Sequence, residues 1–242
     1  MYQKIILKIL GLFDYFHQKK IFNFLKKQKL KNINIFLDVG AHEGESIEIF
    51  AKNFTINKIY SFEPSPINFL KLKNKVNLFS KNFKDLEIYI ENVGLGKEKK
   101  RIYLKQLNES SSSTINQINK NSKYFKKKRF FLNKLHTKNF YKNIDIQIIR
   151  LDEYLNNNRI EYINFVKIDT EGYELDVLKG LGTKIHNVQY IMFEHHYHDM
   201  LIKTYKFSDI NELLVKNNFI KIFKAKMPFR KTFEYIYENR NK

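Results

Sequence analysis

The sequence predicts an α/β fold, with a mostly parallel sheet and helices on both of its faces. Short apolar runs alternate with amphipathic segments along most of the chain, which is typical of parallel sheets. Glycine is scarce, and seven of the eight glycines fall in four places, most of them at or just after the end of a predicted strand. Because ligands of such sheets bind at the carboxyl ends of the strands, these glycines predict where a site lies.

The predicted elements cover most of the chain. The predicted strands are 34–40, 58–64, 86–94, 100–107, 163–169, 188–196, 220–226 and 232–240, of which the last two form an antiparallel pair. The predicted helices are 46–54, 67–76, 174–181 and 208–219, with Ser46 and Ser208 as expected N-caps. A helical extension over 1–32 precedes one domain over 33–242, which carries a basic and aromatic insertion at about 108–145.

Charge and composition narrow the classes of function. The formal net charge is +19, from 44 Lys+Arg against 25 Asp+Glu, and chains this basic often bind nucleic acid, anionic lipid or acidic polymers. Only six of these residues are arginine, the side chain suited to bidentate contacts with bases and phosphates, which disfavours nucleic acid as the partner. The absence of cysteine excludes disulfides, thiolate metal sites and cysteine nucleophiles.

Two segments of the chain each allow two interpretations. The stretch 1–32 is a basic amphipathic helix that either covers the core or lies on an anionic membrane surface, and no apolar run reaches the length of a membrane span. The insertion at about 108–145 is either a solvated excursion or a lid that contacts an anionic acceptor.

The stretch FLDVGAHEGES (36–46) predicts a loop that closely approaches a bound ligand. Gly40 allows the chain to turn after the strand, and Gly44 relieves crowding where the next helix begins. The spacing departs from the dinucleotide fingerprint, and Asp38 repels phosphate but attracts an ammonium group. The loop therefore suits a nucleoside that carries an amino acid, although an ordinary strand–turn–helix would have a similar sequence.

The stretch SFEPSP (61–66) places a carboxylate at the end of the second predicted strand. Glu63 can accept hydrogen bonds from both hydroxyls of a ribose, or it caps the next helix. It follows Gly40 by 23 positions, close to the separation expected in a nucleoside-binding βαβ unit.

Five motifs in order resemble one known family. FLDVGAHEGES, SFEPSP, NVGLGKEKKRIYL (92–104), IRLDEYL (149–155) and FVKIDTEGYELDVLKG (165–180) are similar to those of FkbM-type methyltransferases. The resemblance runs from about 34 to 198 and is most specific at KIDTEGYE. It implies a Rossmann-like class I methyltransferase with a mostly parallel seven-stranded sheet, an antiparallel C-terminal strand, and S-adenosylmethionine as cofactor.

The resemblance also implies a role for individual residues. Around the methionine end of the cofactor we expect Asp38, Gly40, His42 and Gly44; Glu63 should bind the ribose, and Asn92 and Val93 should lie by the adenine. His42 stands where the family commonly has Asn or His, whereas Glu43 departs from the more hydrophobic residue that is usual there.

Four acids surround the turn in DTEGYELD (169–176). Asp169 and Glu171 precede the predicted helix and should face the pocket, where either could orient or deprotonate an acceptor hydroxyl. Glu174 and Asp176 fall in the first helical turn, where negative charge is favourable by about 0.3–1 kcal/mol, and a structural role is expected above all for Asp176.

The stretch FEHHYHD (193–199) supplies the remaining candidates for catalysis. Glu194 and His195 end a predicted strand, and histidine is the usual base for a hydroxyl. Strand alternation sends His195 and His196 to opposite faces, so only one is expected in the pocket. Asp169, Glu194 and one histidine could instead hold a divalent metal, an alternative that we do not favour.

The sequence thus predicts an O-methyltransferase that acts on a hydroxyl of a sugar or glycan precursor. The glycan assignment follows from the family resemblance alone. The charge motivates a second hypothesis, an RNA methyltransferase, although the Asn/Asp-Pro-Pro-aromatic tetrad of enzymes that methylate base amino groups is missing. A third hypothesis is a non-catalytic protein of the same fold that docks on glycans or a membrane.

Overall fold

A computed structural model of the protein describes residues 2–81, 83, 85–107, 113–131 and 141–242, with side chains from residue 13 onward and without those of 128–131. Its strands are β1 (Asn32–Val39), β2 (Thr55–Phe62), β3 (Glu87–Glu91), β4 (Gly94–Gly96), β5 (Lys100–Leu107), β6 (Gln117–Ile118), β7 (Tyr141–Arg150), β8 (Ile163–Ile168), β9 (Val188–His196), β10 (Leu201–Ile202), β11 (Phe219–Lys226) and β12 (Thr232–Asn239). Its helices are α1 (Tyr2–Lys27), α2 (Glu45–Asn53), α3 (Pro66–Phe79), α4 (Lys123–Phe131), α5 (Leu151–Asn157), α6 (Glu174–Gly180) and α7 (Phe207–Lys216), with a 3₁₀ helix at Gly182–Asn187.

Seven strands form the main sheet, in the order β11-β12-β9-β8-β1-β2-β3. The strands from β9 to β3 are parallel, and β12 lies antiparallel between β9 and β11. The predicted Rossmann-like sheet with an antiparallel strand near the C-terminus is therefore confirmed. The strand order reverses at β1, whose neighbours are β2 and β8, and a ligand site is expected at this switch point.

Helices cover both faces of this sheet because its strands are apolar on both sides. On one face, Leu25 of α1, Phe50 of α2 and Leu72 of α3 pack against Phe36 of β1. The other face packs against α5, α6 and α7 through a cluster that includes Leu37 of β1. The buried apolar side chains of α1, Ile21, Phe22 and Leu25, thus belong to the core, and among the described helices none is long and apolar enough to cross a bilayer.

The insertion is partly built into the fold. The predicted strand at 100–107 exists as β5, but it lies in a separate sheet of order β4-β7-β5 because β7 pairs with both β4 and β5. The short strands β6 and β10 pair antiparallel beside this sheet. An apolar cluster joins them to α4 and contains Leu107, Ile118, Phe125, Met200 and Leu201. Residues 108–112 and 132–140 of the insertion lie outside the described residues.

Two predicted helix caps are wrong. Helix α2 begins at Glu45, so Ser46 lies inside it and Gly44 is the N-cap with φ +87°. Helix α7 begins at Phe207 with Lys206 as N-cap, because the Asp209 carboxylate accepts the Lys206 backbone N–H at 2.8 Å. Asp209, an acid in the first turn, therefore contributes a capping hydrogen bond, and Ser208 is not the N-cap.

The loop after β1 is fastened to the ends of both neighbouring strands. Gly40 N and Ala41 N donate to Phe62 O of β2 at 2.9 and 3.0 Å, and Asp169 N donates to Val39 O at 2.9 Å. Gly40 has φ +83°, and a Cβ atom there would lie 1.9 Å from the backbone oxygen of Asp169. The close approach expected at Gly40 is therefore an approach to the protein's own backbone.

We expect Gly40→Ala to lower the free energy of unfolding by about 2–4 kcal/mol, because the new Cβ meets backbone atoms and φ is positive. Chemical denaturation followed by circular dichroism measures this change. Lys52→Ala, at an exposed position of α2, is the control and should change the free energy by about 0.5 kcal/mol or less. A Gly40→Ala protein as stable as this control would contradict the packing described here.

Candidate functional site

A cavity of about 1080 Å³ opens at the carboxyl edge of the main sheet. Its floor consists of residues that follow or end β1, β2, β8 and β9, at the switch point of the strand order. One wall of the cavity comes from α1, from α4 and from the turn at 227–231. Of the predicted site residues, the cavity is lined by Gly40, His42, Glu63, Asp169, Glu171 and Glu194.

Glu63 connects two loops at one end of the cavity. One carboxylate oxygen accepts the backbone N–H of His42 at 2.8 Å, and the other accepts that of Ser65 at 2.9 Å. Burial raises the pKa of Glu63 to about 7, although these two hydrogen bonds oppose the shift. A carboxylate offers about four acceptor sites, and the oxygen that accepts Ser65 also accepts the Asn68 side chain at 3.5 Å, so the site that remains for a ligand is on the oxygen that accepts His42. Glu63 thus holds the start of α3, as one interpretation predicted, without losing its capacity to bind hydroxyls.

Asn92 and Val93 lie outside the cavity wall. The Asn92 side chain donates to the backbone oxygens of Glu63 and Pro64, at 2.8 and 3.3 Å, and so supports the loop from behind. Val93 packs against the core, and it is the next two residues, Gly94 and Leu95, that line the cavity. Gly44 also lies behind the wall, where a Cβ atom would meet Leu72 of α3 at 2.8 Å.

Asp38 is fully buried beneath the cavity floor rather than exposed on it. Burial raises its pKa to about 6, and attraction to Lys167 opposes this. The Lys167 ammonium lies 3.9 Å from Asp38 and 3.2 Å from Asp169. Burial lowers the pKa of Lys167, but attraction to Asp169, Asp38 and Glu234 outweighs it, and the net shift is upward. Lys167 is thus a buried cation that reaches the cavity between two acids, and the sequence analysis missed it.

A strained turn presents Glu171 to the cavity. Its backbone has φ +49°, which costs about 1 kcal/mol or more outside glycine. The Glu171 carbonyl accepts Thr114 Oγ1 at 2.8 Å, and the Asn116 side chain donates to the Gly172 carbonyl at 2.8 Å. The start of the insertion therefore holds this turn in place.

Glu174 and Asp176 have structural roles, as the helix position predicted. Glu174 is fully buried; its carboxylate accepts Gly172 N at 2.8 Å and hydrogen bonds from Thr170 and Tyr205. Asp176 forms an ion pair with Lys97 at 3.3 Å. Of the four acids at this turn, only Asp169 and Glu171 therefore reach the cavity.

His196 lies between two of the cavity acids. Its Nε2 atom is 3.1 Å from Glu171 and 3.5 Å from Glu194, and its Nδ1 atom is 3.0 Å from Thr232 Oγ1. Burial lowers the pKa of His196, but attraction to Glu171 and Glu194 outweighs burial and raises the pKa to about 9. At neutral pH the ring is an imidazolium, with both nitrogens protonated and no lone pair for a substrate proton.

The pKa of the Glu194 carboxyl group is also raised. Burial raises its pKa well above the ordinary value, repulsion from Asp169 adds to the shift, and attraction to His196 opposes it. Among the attractions that raise the pKa of His196, that of Glu171 is larger than that of Glu194.

His195 points to the other face of β9 and does not line the cavity. Its ring packs against Tyr197, Tyr205 and Phe207, and its Nε2 atom lies 3.2 Å from the Lys203 ammonium. Burial and repulsion from Lys203 lower its pKa to about 3. Strand alternation could not say which of the adjacent histidines faces inward; the structure places His196, and not His195, at the cavity.

Helix α1 contacts β12 and the turn before it in the wall that α1, α4 and this turn form. Arg230, in the turn before β12, donates to Asp14 of α1 at 2.9 Å, and His17 Nε2 lies 2.6 Å from a carboxylate oxygen of Glu234 in β12. These residues were not predicted, because no local pattern relates positions more than 200 apart in the chain. The only available signal was the occurrence of polar residues within otherwise apolar elements.

A divalent metal was the alternative for Asp169, Glu194 and a histidine. Within the part of the chain that the structure describes, no group of three or more histidines and carboxylates has the geometry to hold a metal ion.

We expect Glu171→Gln to lower the pKa of His196 from about 9 toward the ordinary histidine value, because the largest attraction that keeps the ring charged is removed. The ring proton shifts of His196 in an NMR titration report this pKa. Glu161→Gln, at an exposed acid near the opposite edge of the sheet, is the control and should leave the titration unchanged. Equal titration curves for the two variants would contradict the ion pair.

Solved structures of other proteins share the fold described above. The crystal structure of a methyltransferase FkbM from Methylobacillus flagellatus is similar with a TM-score of 0.56 and 17% identity, covering 85% of this chain and 43% of that one. A protein of the NADB-Rossmann superfamily from Streptococcus agalactiae is similar with a TM-score of 0.50 and 11% identity, covering 91% and 66%. The chain thus spans less than half of the first structure, and identities this low establish the fold alone. Curated protein sequences give no match.

A family comparison is more specific than these structures. Residues 38–221, which make up most of the chain, match the Methyltransferase FkbM domain. This span contains the floor of the cavity, four of the five motifs from which the family was predicted, and the first motif from Asp38 onward. The prediction is confirmed, and the chain belongs to the FkbM methyltransferase family.

Proposed function

We propose that the protein is an S-adenosylmethionine-dependent O-methyltransferase that acts on a hydroxyl of a sugar or glycan precursor. The observation that carries this proposal is the single cavity at the switch point, with Glu63 at one end and the Glu171–His196 pair at the other. The first group suits a ribose, and the second suits a hydroxyl that must lose its proton.

The chemistry of the floor suits this cofactor. S-adenosylmethionine has two positive charges near its reactive end, the sulfonium and the ammonium, and the acids Glu45, Asp169 and Glu171 line the cavity. Burial raises the pKa of Glu45, but hydrogen bonds to His42 and to its own backbone, together with attraction to His42 and Lys75, outweigh burial and lower the pKa to about 2. The floor thus keeps negative charge over the physiological pH range, with Lys167 as the opposing cation.

At the other end, Glu171 is the group that we assign as the base. The bound cofactor supplies a methyl group, and the acceptor hydroxyl loses its proton as its oxygen takes the methyl. The Glu171 carboxylate accepts this proton, because His196 is already protonated at neutral pH. The imidazolium of His196 fixes Glu171 and is itself held by Thr232, so His196 is a positioning residue.

The positioning of the acceptor hydroxyl accounts for most of the remaining rate enhancement. Methyl transfer requires the acceptor oxygen close to the line of the bond that breaks, and a rigid site reduces the entropy lost on reaching that geometry. The turn that carries Glu171 is fixed by Thr114, Asn116 and Glu174, so its side chain is aimed before any acceptor binds.

We expect the affinity for S-adenosylmethionine to fall as the pH drops below about 7, because protonated Glu63 loses acceptor sites for the ribose hydroxyls. Binding stabilises the carboxylate form, so it releases a proton below this pH and not above it. Glu63→Gln should weaken binding about 10-fold or more at pH 8 and remove this part of the pH dependence. Isothermal calorimetry measures both effects.

The control for Glu63 is Glu87→Gln, a change at an exposed acid on β3. Its affinity should stay within about twofold of the unchanged protein at both pH values. Equal affinities for the Glu63 and Glu87 variants would remove the ribose assignment.

We expect Glu171→Gln and His196→Gln to lower the rate of methyl transfer about 100-fold or more, with the affinity for S-adenosylmethionine retained. His195→Gln is the matched control, since it changes the adjacent histidine on the opposite face, and it should retain most of the rate. A single-turnover assay with labelled cofactor over a panel of sugars and nucleotide-linked sugars measures these rates.

The pH profile separates the two candidate bases. With Glu171 as base, the rate should be level between pH 7 and 8 and should fall as His196 loses its proton near pH 9. A tenfold rise per pH unit up to pH 9 would instead make neutral His196 the base.

A further inference from the structure

The wall built by α1, α4 and the turn at 227–231 differs in charge from the floor of the cavity. The floor is rich in acids, whereas this three-segment wall brings three cations to the cavity: Lys127 of α4, and Arg230 and Lys231 of the turn. Asp14 is the acid among them, and it forms an ion pair with Arg230. The cavity is therefore negative where we place the cofactor and positive on the side left for the acceptor.

We propose that the acceptor carries an anionic group, a phosphate or a carboxylate, close to the methylated hydroxyl, and that Arg230 binds this group. The inference rests on the proposed function, because it takes the acid-rich floor as the cofactor side. Lys127 and Lys231 flank the anion and contribute less, since both side chains are exposed to solvent.

Arg230 has the geometry for this role. It is half-buried in the wall, and its charge interacts with both Glu194 of the floor and Tyr124 of α4. Among the described residues its guanidinium donates to Asp14 at 2.9 Å and weakly to the sulfur of Met227 at 3.8 Å. A guanidinium has five N–H donors in a rigid fork, so donors remain for a bidentate contact with phosphate or carboxylate.

Aromatic rings stand beside these cations. Tyr124 is stacked on His198 at 4.1 Å with an interplanar angle of 13°, and both rings line the cavity. Phe229 is 75% exposed and also lines it, next to Arg230 in the chain. A flat apolar ring beside a cation suits the carbon face of a sugar whose substituent is charged.

A small anionic sugar fits this wall better than RNA does. Among the described residues, the three-segment wall brings three cations to a cavity of about 1080 Å³, which must hold the cofactor as well, whereas Lys167 belongs to the floor. Single-stranded nucleic acid requires a cationic groove that follows its backbone over several nucleotides. The part of the wall that the structure describes has the charge for one or two anionic groups.

The wall also lies mostly outside the family match. Asp14, Phe229, Arg230 and Lys231 all fall outside residues 38–221, and Lys127 belongs to the insertion. Most of the residues that we assign to acceptor binding thus lie outside the family match, whereas the floor that we assign to the cofactor lies within it.

The test is calorimetry on the full chain saturated with S-adenosylhomocysteine, titrated in separate arms with inorganic pyrophosphate and with glucuronate. We expect at least one anion to bind, and Arg230→Gln to weaken it about 10-fold or more, the loss of a charge-assisted bidentate contact. Arg240→Gln, at the far end of β12, removes the same charge and should change the affinity less than twofold. Pyrophosphate as the tighter ligand identifies a nucleotide-linked sugar, and glucuronate a uronic acid.

Several outcomes overturn the proposal. These are binding of neither anion, equal weakening by Arg230→Gln and Arg240→Gln, or a short single-stranded RNA that binds more tightly than both anions and depends on Arg230. If Arg230→Gln lowers the unfolding temperature by more than a few degrees, Lys127→Gln combined with Lys231→Gln replaces it, and this double variant should weaken anion binding at least threefold. A failure of S-adenosylhomocysteine itself to bind is seen before any anion is added, and it counts against the proposed function instead.

Discussion

The contact between Gly40 and the backbone of Asp169 is the constraint on which the site depends. The loop after β1 is bonded to the end of β2 through Phe62 and Glu63, and to the end of β8 through Val39 and Asp169. Three strand ends therefore share one small volume, and a single side-chain carbon at Gly40 has no room there. Because the floor is fixed by backbone contacts, its acids are held together without the help of a ligand.

Each of two buried cations in the floor lies between two acids. Lys167 lies between Asp38 and Asp169, and His196 lies between Glu171 and Glu194. Two carboxylates brought together in a medium of low dielectric repel one another, and a shared cation reduces that cost. The arrangement leaves the floor acidic enough to favour a cationic cofactor. It also explains why the inward-facing histidine is charged while His195, beside a lysine, is neutral.

The sequence predicted the sheet and its floor better than the wall. Strand ends at Glu63, Asp169 and Glu194 were found because apolar runs and glycines mark them, and the first helical turn explained Glu174. Whether His195 or His196 faces inward depends on a one-residue register, which alternation alone cannot set. Lys167 was overlooked because a charge inside an apolar strand looks like an interruption. The pairs Asp14–Arg230 and His17–Glu234 leave no local signal, since the two chain ends meet only in the fold.

The bond between His17 and Glu234 spans 217 positions, nearly the whole length of the chain. During synthesis on the ribosome, α1 emerges well before β12. Contacts of such long range form late, because the intervening chain must be made and ordered before its ends can meet. A nascent chain in which β1, β2, β3, β8 and β9 are in place therefore still lacks β12, the strand between β9 and β11, and the turn at 227–231. Until these segments are ordered, the cavity stays open on that side.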